Sequence, residues 1–288
     1  AYNYIYQANA VYDGCNQATQ LSAPVKKQLM AEALFIRAFW HFYLVNLFGN
    51  VPVVTTTDYA TNAVVTQKDA SAVYDQIITD LTVAEADLSA DYIDENLHTS
   101  SERLRPNQYT AAALLARVYL FKSDYAKAGE QATLVIDNPA YNLVSLDDAF
   151  VKNNNEAIWQ LAAPTPNLMA INTTEGAGYI LTSAPLTYDV QNISTLSPSL
   201  LSSFESNDAR FEKWVGVYSD GGTDYYFANK YKIKTASDLS EYSVVLRLAE
   251  QYLIRAEAKA QANDLEGSIA DVDVIRQRAG LPLIATTN

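Results

Sequence analysis

The sequence predicts a mainly α-helical protein in which helical hairpins surround a loop-rich insertion that contains short β-strands. Long segments at both ends of the chain repeat apolar residues at helical spacing, and short turns join them in pairs. Between them, proline and glycine interrupt the periodicity for about a hundred residues. We therefore predict one domain with a helical scaffold over 1–138, an insertion over 139–240 and a helical hairpin over 241–282.

The first two predicted helices cover residues 2–20 and the segment from Ser22 to Phe48. Ser22 is a good capping residue, and Pro24 falls in the first turn, where proline is favoured. From Leu34 to Phe48, twelve of fifteen residues are apolar, and such a helix is either buried or spans a membrane. Because fifteen residues reach only ~22 Å, against ~30 Å for a bilayer core, we predict a buried helix that ends at Gly49.

A third helix is predicted over residues 69–89, after a polar loop at 53–68. Val73, Ile77 and Leu81 recur there at helical spacing. The acidic stretch that follows is predicted to be a loop.

Two hairpins of helices follow from the turn signals. The first pairs Pro106–Phe121 with Asp124–Asp137, and the second pairs Glu241–Ala262 with Leu265–Ala279. Two helices approach closely only where the side chains are small, as in tetratricopeptide units of about 34 residues. The alanines expected at these crossings are Ala112, Ala116, Ala128 and Ala132 in the first hairpin, and Ala256, Ala258, Ala260, Ala262 and Ala270 in the second.

The insertion between the hairpins is expected to carry the function. It contains two β-like runs, Ala157–Leu161 and Asn229–Ile233. Long loops held by a rigid scaffold are usual places for binding residues.

Composition narrows the possible partners. The chain has 288 residues and a net charge of −13, which disfavours nucleic acid and anionic lipid as partners. A single cysteine, Cys15, and two histidines, His41 and His98, exclude an internal disulfide and a site built from several histidines. The chain opens without the basic and apolar regions of a signal peptide, and we expect the native N-terminus to lie upstream.

No catalytic motif is found, and we predict that the protein is not an enzyme and has no cofactor. The sequence lacks a glycine-rich phosphate loop, a nucleophile elbow and a zinc-protease motif. Cys15 is expected to be inert, His41 to be a core histidine and His98 to be solvated. Acidic residues could pair for glycoside hydrolysis or hold Ca²⁺, although neither acidic run fits the twelve-residue calcium loop and solvated turns explain them more simply. They are Asp91, Asp94, Glu95, Asp220 and Asp224.

Tyrosine is abundant, with 20 residues, and suggests a wet binding surface. A flat aromatic ring stacks on the apolar face of a sugar, and neighbouring polar groups bond its hydroxyls, without any need for net charge. The alternative is that these rings pack beneath long loops. The predicted ligand-binding residues are Tyr59, Tyr179, Tyr188, Trp214, Tyr218, Tyr225 and Tyr226.

Two distant motifs resemble the SusD/RagB family. Near the start, EALFIRA at residues 32–38 leads to LFGNVPVV at 47–54. Near the end, LRLAE at 246–250 leads to AEA at 256–258 and to IRQRAGLP at 275–282. The first hairpin also matches the tetratricopeptide section of this family, so the resemblance covers most of the chain.

The resemblance implies a non-catalytic, lipid-anchored protein on the outer surface of Gram-negative bacteria. Such proteins bind oligosaccharides or polysaccharides and pass them to a SusC-like TonB-dependent transporter. Cys15 lies inside the first predicted helix and is not the lipid-bearing cysteine of the family, so membrane association would require an anchor that this chain lacks. Family members are longer, and this chain is therefore either a fragment or a short member.

Three functions are compared on this basis. The favoured one is reversible binding of a neutral glycan through the aromatic loops, with little dependence on salt. A second is a tetratricopeptide scaffold that binds a protein or peptide partner in a concave groove. A third is a glycoside hydrolase that uses two of the loop carboxylates.

Overall fold

The predicted helical class is confirmed in a computed structural model that describes residues 1–164, 170–185, 192, 194–236 and 238–285. The chain divides into two units. The first comprises Ala1–Asn138 and Glu257–Asp264, and the second comprises Pro139–Ala256 and Leu265–Asn288.

The first unit is built from helices and one short strand pair. Strands β1 and β2 are antiparallel, with Val51 opposite Lys68. The elements are α1 (Tyr2–Gln17), α2 (Ala23–Phe48), β1 (Val51–Pro52), α3 (Tyr59–Asn62), β2 (Gln67–Lys68), α4 (Ala70–Asp87), α5 (Gln108–Phe121) and α6 (Tyr125–Ile136).

Helix α2 is the buried helix expected from its composition. Phe35, Ala38 and His41 are fully inaccessible, and Gly49 ends the helix at a φ of 71°, which a residue without a side chain adopts easily. Among the described residues, no helix combines the length and the hydropathy that crossing a bilayer requires.

The charged residue in the middle of α2 joins three helices. The Arg37 guanidinium donates to both carboxylate oxygens of Asp80 in α4, at 2.7 and 2.6 Å, and to Asn9 in α1 at 3.0 Å. All three side chains are buried. Because a buried guanidinium is tolerated only with its partners in place, this network fixes α1, α2 and α4 against one another.

The first helical hairpin has the predicted small-residue crossing. Ala112, Ala116, Ala128 and Ala132 are all completely buried, and α5 packs against α6. The helix begins at Gln108 rather than at Pro106, because Asn107 and Thr110 form a reciprocal capping box that fixes the start.

The second unit contains the strands of the insertion and the late helices. Strand β3 pairs with β6, and β4 pairs with β5, both antiparallel. The elements are β3 (Ala157–Leu161), α7 (Thr174–Tyr179), α8 (Pro198–Ser202), α9 (Ala209–Trp214), β4 (Val215–Asp220), β5 (Thr223–Ala228), β6 (Ser243–Arg247), α10 (Leu248–Gln261) and α11 (Leu265–Arg278). The end of α10 belongs to the first unit.

Two predicted elements, one strand of the insertion and the start of the late hairpin, are wrong, because hydrogen bonds from outside each run decide its structure. The run Asn229–Ile233 is not a strand: the backbone N–H groups of Lys232 and Ile233 donate to the Glu241 carboxylate, at 2.6 and 3.1 Å, instead of to a neighbouring strand. Helix α10 begins at Leu248 and not at Glu241, because Ser243–Arg247 pairs with the predicted strand Ala157–Leu161.

The late hairpin is confirmed as a pair of helices, but its alanines differ from the prediction. Ala256 and Ala258 are buried, whereas Ala262 and Ala270 are exposed. Within the second unit, the Arg255 guanidinium of α10 donates hydrogen bonds to both carboxylate oxygens of Asp271 in α11, at 2.9 and 2.6 Å. This ion pair therefore links α10 to α11.

Candidate functional site

A cavity of about 300 Å³ opens in the second unit. One short helix supplies two of its polar side chains, and a core cluster supplies its apolar floor. The residues that line it are Phe150, Glu175, Tyr179, Ala228, Lys230, Tyr231 and Val244.

Helix α7 is held tightly in place beside this cavity. The Thr173 hydroxyl accepts the Gly176 N–H at 2.9 Å and caps the helix. A β-carbon at Gly176 would overlap the Ile233 carbonyl oxygen, so only glycine allows this close approach. Residues four apart share one face of a helix, which places Glu175 and Tyr179 together on the cavity wall.

The floor of the cavity is aromatic. The ring of Phe150 lies 5.2 Å from that of Tyr231 and 5.5 Å from that of Trp214, both in edge-to-face geometry. The Tyr231 hydroxyl accepts the backbone N–H of Val244 at 2.8 Å, and burial raises the pKa of this phenol far above its ordinary value. Tyr231 is therefore a neutral, fixed part of the floor.

Two charged side chains line the same cavity. The Glu175 carboxylate accepts hydrogen bonds from Ser243 Oγ at 2.8 Å and from Thr174 Oγ1 at 3.1 Å, both through Oε2. The Lys230 ammonium lies 5.6 Å from the ring centres of both Phe150 and Trp214, within cation–π range. Burial against these rings, together with the cations Arg247 and Arg210, lowers the pKa of Lys230.

Of the six predicted binding residues that the structure describes, only Tyr179 lines this cavity. Its side chain is 44 % exposed, enough to present a ring face to a ligand. Tyr59 is 85 % exposed in α3, which belongs to the first unit. Tyr188 lies outside the described residues.

Trp214, which the sequence suggests as a ligand-binding residue, lies in the protein interior. Trp214 is only 9 % exposed and belongs to the core cluster with Leu146, Ala149, Phe150 and Tyr231. Its indole N–H donates to the Leu146 carbonyl oxygen at 2.8 Å, so both its apolar surface and its polar atom are satisfied inside the protein.

The three remaining tyrosines lie on the β4–β5 hairpin and are half-buried. Tyr218 and Tyr225 are direct cross-strand partners. The ring of Tyr226 lies 6.3 Å from that of Phe211. These three residues do not line the cavity beside α7.

Sequence analysis missed the two charged residues of the site. Glu175 is one of many acidic residues, and only the Thr173 cap marks the turn that positions it. Lys230 lies inside the run that the sequence predicts as a strand, with no local signal of a role. Both become recognisable only when the chain is folded.

The other reactive residues have structural roles or face solvent. His41 is inaccessible: its Nδ1 lies 2.9 Å from the Arg37 carbonyl oxygen, and its Nε2 accepts the Val54 N–H at 3.3 Å. Cys15 is a buried free thiol, and burial raises its pKa. His98 is exposed beside Asp94. Over the described part of the chain, no three histidine, cysteine, aspartate or glutamate side chains cluster as metal ligands would.

Two further cavities lie in the first unit and share Leu29 and Glu32. One, of about 250 Å³, lies between α1 and α2 and is mainly apolar. The other, of about 470 Å³, adjoins the acidic loop, where Arg105 pairs with Glu32 at 2.7 Å. None of the predicted aromatic residues is among the described residues that line them.

Comparison with known proteins supports the resemblance found in the motifs. A family profile described as "Starch-binding associating with outer membrane" matches residues 1–120, and the SusD family profile matches residues 151–288. The chain belongs to the SusD/RagB family. The two profiles match the two halves of this SusD-like chain, in the same order as the two sequence motifs.

Individual relatives match parts of the chain or its whole fold. SusD-like protein P2 of Formosa agariphila is 34 % identical over 142 residues, which is 46 % of this chain and 26 % of that protein. A SusD superfamily structure from Parabacteroides distasonis superposes with a TM-score of 0.83 at 26 % identity, over 100 % of this chain and 67 % of the other. A laminarin-binding SusD-like protein superposes with a TM-score of 0.77 at 25 % identity, over 98 % and 70 %. The matched segment thus spans about a quarter of the length of the curated relative.

Proposed function

We propose that this SusD-like chain binds oligosaccharides through the cavity beside α7. The observation that carries the proposal is the combination of the half-exposed Tyr179 ring with two polar side chains over an aromatic floor. Small-molecule sites in proteins have this composition, a mostly apolar concavity with a few fixed polar groups.

Each wall of the cavity suits a different part of a sugar. The Tyr179 ring offers an apolar face for the C–H face of a pyranose, and Phe150 extends that surface at the floor. The Glu175 carboxylate is fixed by two hydroxyl groups through Oε2, and no hydrogen bond reaches its Oε1 from the described residues, so Oε1 can accept from a sugar hydroxyl. Lys230 supplies a donor on the same cavity.

Tyr218 and Tyr225 of the hairpin form a second proposed contact surface, since they face each other across β4 and β5 and are half-exposed. Tyr226 follows Tyr225 and therefore lies on the opposite face of the hairpin, where it is a separate proposed contact. A chain of several sugar units would extend beyond one cavity and use such additional rings. Tyr59 stays a proposed contact on the first unit, and the proposed role of Tyr188 lies outside the described residues.

We further propose that binding occurs at the outer surface of the outer membrane, without catalysis, and that the bound sugar passes to a SusC-like TonB-dependent transporter. A lipid anchor outside this chain would hold the protein there. The family description, which associates starch binding with the outer membrane, supports this location. The laminarin-binding relative supports a β-glucan as one ligand to test.

The test is a binding screen with starch, laminarin and other oligosaccharides by isothermal titration calorimetry. Tyr179→Ala removes about 50 Å² of apolar contact, and at ~25 cal/mol per Å² we expect about tenfold weaker binding. Tyr6→Ala is the matched control, since it also deletes an exposed tyrosine ring but lies in the first unit, at a residue with no proposed ligand contact. Unchanged binding with Tyr179→Ala would place the site elsewhere, and release of reducing ends would indicate a hydrolase.

A further inference from the structure

Among the described residues, the Lys230 ammonium has no anionic partner. Some other lysines do pair with carboxylates, such as Lys213 with Asp147 at 3.0 Å and Lys122 with Asp75 at 2.7 Å. Lys230 has no carboxylate within ion-pair distance among the described residues, and its close contacts are the two aromatic faces below it. Aromatic rings attract a cation without neutralising it.

Two arginines lie near Lys230, and one carboxylate, that of Glu175, lines the same cavity. Arg247 lies 5.4 Å from the centre of the Phe150 ring and 5.8 Å from that of the Trp214 ring, the same two rings that Lys230 approaches. The charges that lower the pKa of Lys230 are those of Arg247 and Arg210. Arg247 is itself engaged by Glu156 at 2.8 Å, and the Glu175 carboxylate is bonded to hydroxyl groups. Among the described residues that line the cavity, Lys230 therefore supplies the cation that a ligand can meet.

We propose that Lys230 recognises an anionic substituent of the bound saccharide, a carboxylate or a sulfate ester. This inference rests on the proposed function and names the class of sugar that the same cavity takes. An ammonium gains more from an anion than from a hydroxyl group, because charge-assisted hydrogen bonds are shorter and about twice as strong. The expected advantage of the acidic sugar is about tenfold to a hundredfold in affinity.

The size of the cavity limits how much of the ligand it holds. A volume of about 300 Å³ is at the lower end for small-molecule sites. It suits one sugar unit whose charged group meets Lys230 while its face lies against Tyr179. The remaining units of an oligosaccharide would lie outside the cavity.

The net charge of −13 does not oppose this assignment at short range. At physiological ionic strength, charges farther apart than about 8 Å are largely screened from one another. The groups near the cavity therefore dominate the interaction with a bound anion. The long-range repulsion slows the approach of an acidic chain and does not change which group it meets in the cavity.

The test uses matched pairs of oligosaccharides. Oligogalacturonate is compared with its carboxyl-reduced form, and a sulfated galactan oligosaccharide with its desulfated form, by calorimetry on the whole chain. The wild type should bind one of the acidic members at least tenfold more tightly than its neutral partner, and this binding should weaken as salt is raised. The pair that shows the preference identifies the substituent.

Three variants separate recognition from folding. Lys230→Met should abolish the preference for the acidic member and weaken binding of the neutral member far less than that of the acidic one, whereas Lys230→Arg should keep most of the preference. Lys68→Met is the control for net charge, since Lys68 is exposed on β2 of the first unit. If Lys230→Met does not fold, the wild-type comparison of the matched pairs and Lys230→Arg still test the proposal.

The outcomes distinguish this inference from the proposed function. Neutral oligosaccharides bound through Tyr179 with no acidic preference would overturn the role of Lys230 and leave saccharide binding intact. An acidic preference that survives in Lys230→Met would also overturn it. No binding of any saccharide would overturn both proposals.

Discussion

Replacing Trp214 by alanine should destabilise the second unit rather than remove a sugar contact. The side chain is 9 % exposed, its N–H donates to Leu146 at 2.8 Å, and its ring packs edge-to-face on Phe150. An indole ring buries about 200 Å², and at ~25 cal/mol per Å² this gives an upper estimate of about 5 kcal/mol. Measured losses for such core truncations are about 3–5 kcal/mol.

A second variant separates the hydrogen bond from the packing. Trp214→Phe keeps an aromatic ring in the cluster and removes the N–H donor to the Leu146 carbonyl oxygen. Leaving that oxygen without this donor should cost about 1–3 kcal/mol. Trp214→Phe should therefore be intermediate between the wild type and Trp214→Ala.

The assay is urea denaturation followed by near-ultraviolet circular dichroism, with far-ultraviolet circular dichroism as the second probe. Total stabilities of about 5–15 kcal/mol are usual, so Trp214→Ala should shift the unfolding midpoint strongly. Tyr218→Ala is the control, since its ring is half-buried on the hairpin, and should cost clearly less than Trp214→Ala. Any loss of saccharide binding in Trp214→Ala should follow the unfolded fraction. A loss of stability below about 1 kcal/mol would refute the assignment of Trp214 to the core.

Two further predictions concern the buried network of α2. Asp80→Asn leaves the Arg37 guanidinium buried without its carboxylate and should cost about 3–5 kcal/mol in urea unfolding, whereas Arg37→Met with Asp80→Leu should cost less than Asp80→Asn alone. Burial lowers the pKa of His41 from 6.5, so the folded protein binds this proton less readily than the unfolded chain does. The contribution of His41 is complete above that pH and is lost as the pH falls below it, with a slope of up to about 1.4 kcal/mol per pH unit. Unfolding measured from about pH 8 to about pH 5 should show this extra slope in the wild type and not in His41→Gln, and identical slopes would contradict it.

The elements that local patterns specify strongly were predictable. Helix α2 follows from its mostly apolar composition and from the glycine that ends it, and the α5–α6 hairpin follows from alanines that allow close helix packing. These signals lie within a few turns of the element that they specify. The family motifs near both ends are equally local, and for that reason they could be recognised without a structure.

The elements that depend on distant partners were not predictable in the same way. Val244 and Val245 are compatible with helix or strand, and their pairing with β3 decides for strand. The Glu241 carboxylate accepts the backbone N–H groups of Lys232 and Ile233, so these groups do not pair with a neighbouring strand. In both cases the deciding hydrogen bonds come from outside the run itself.

For the candidate site too, some features follow from local sequence and others from contacts between distant residues. Sequence alone determined the family, the helical class and an abundance of aromatic residues, because these follow from composition and from local motifs. Only the tertiary structure decided that Trp214 is a core residue while Tyr179 is accessible, since burial depends on what packs against a ring. The tertiary structure also brings Glu175 and Lys230, 55 positions apart in the sequence, to the wall of one cavity. The side chains of a binding site are distant in sequence, and they come together only when the chain folds.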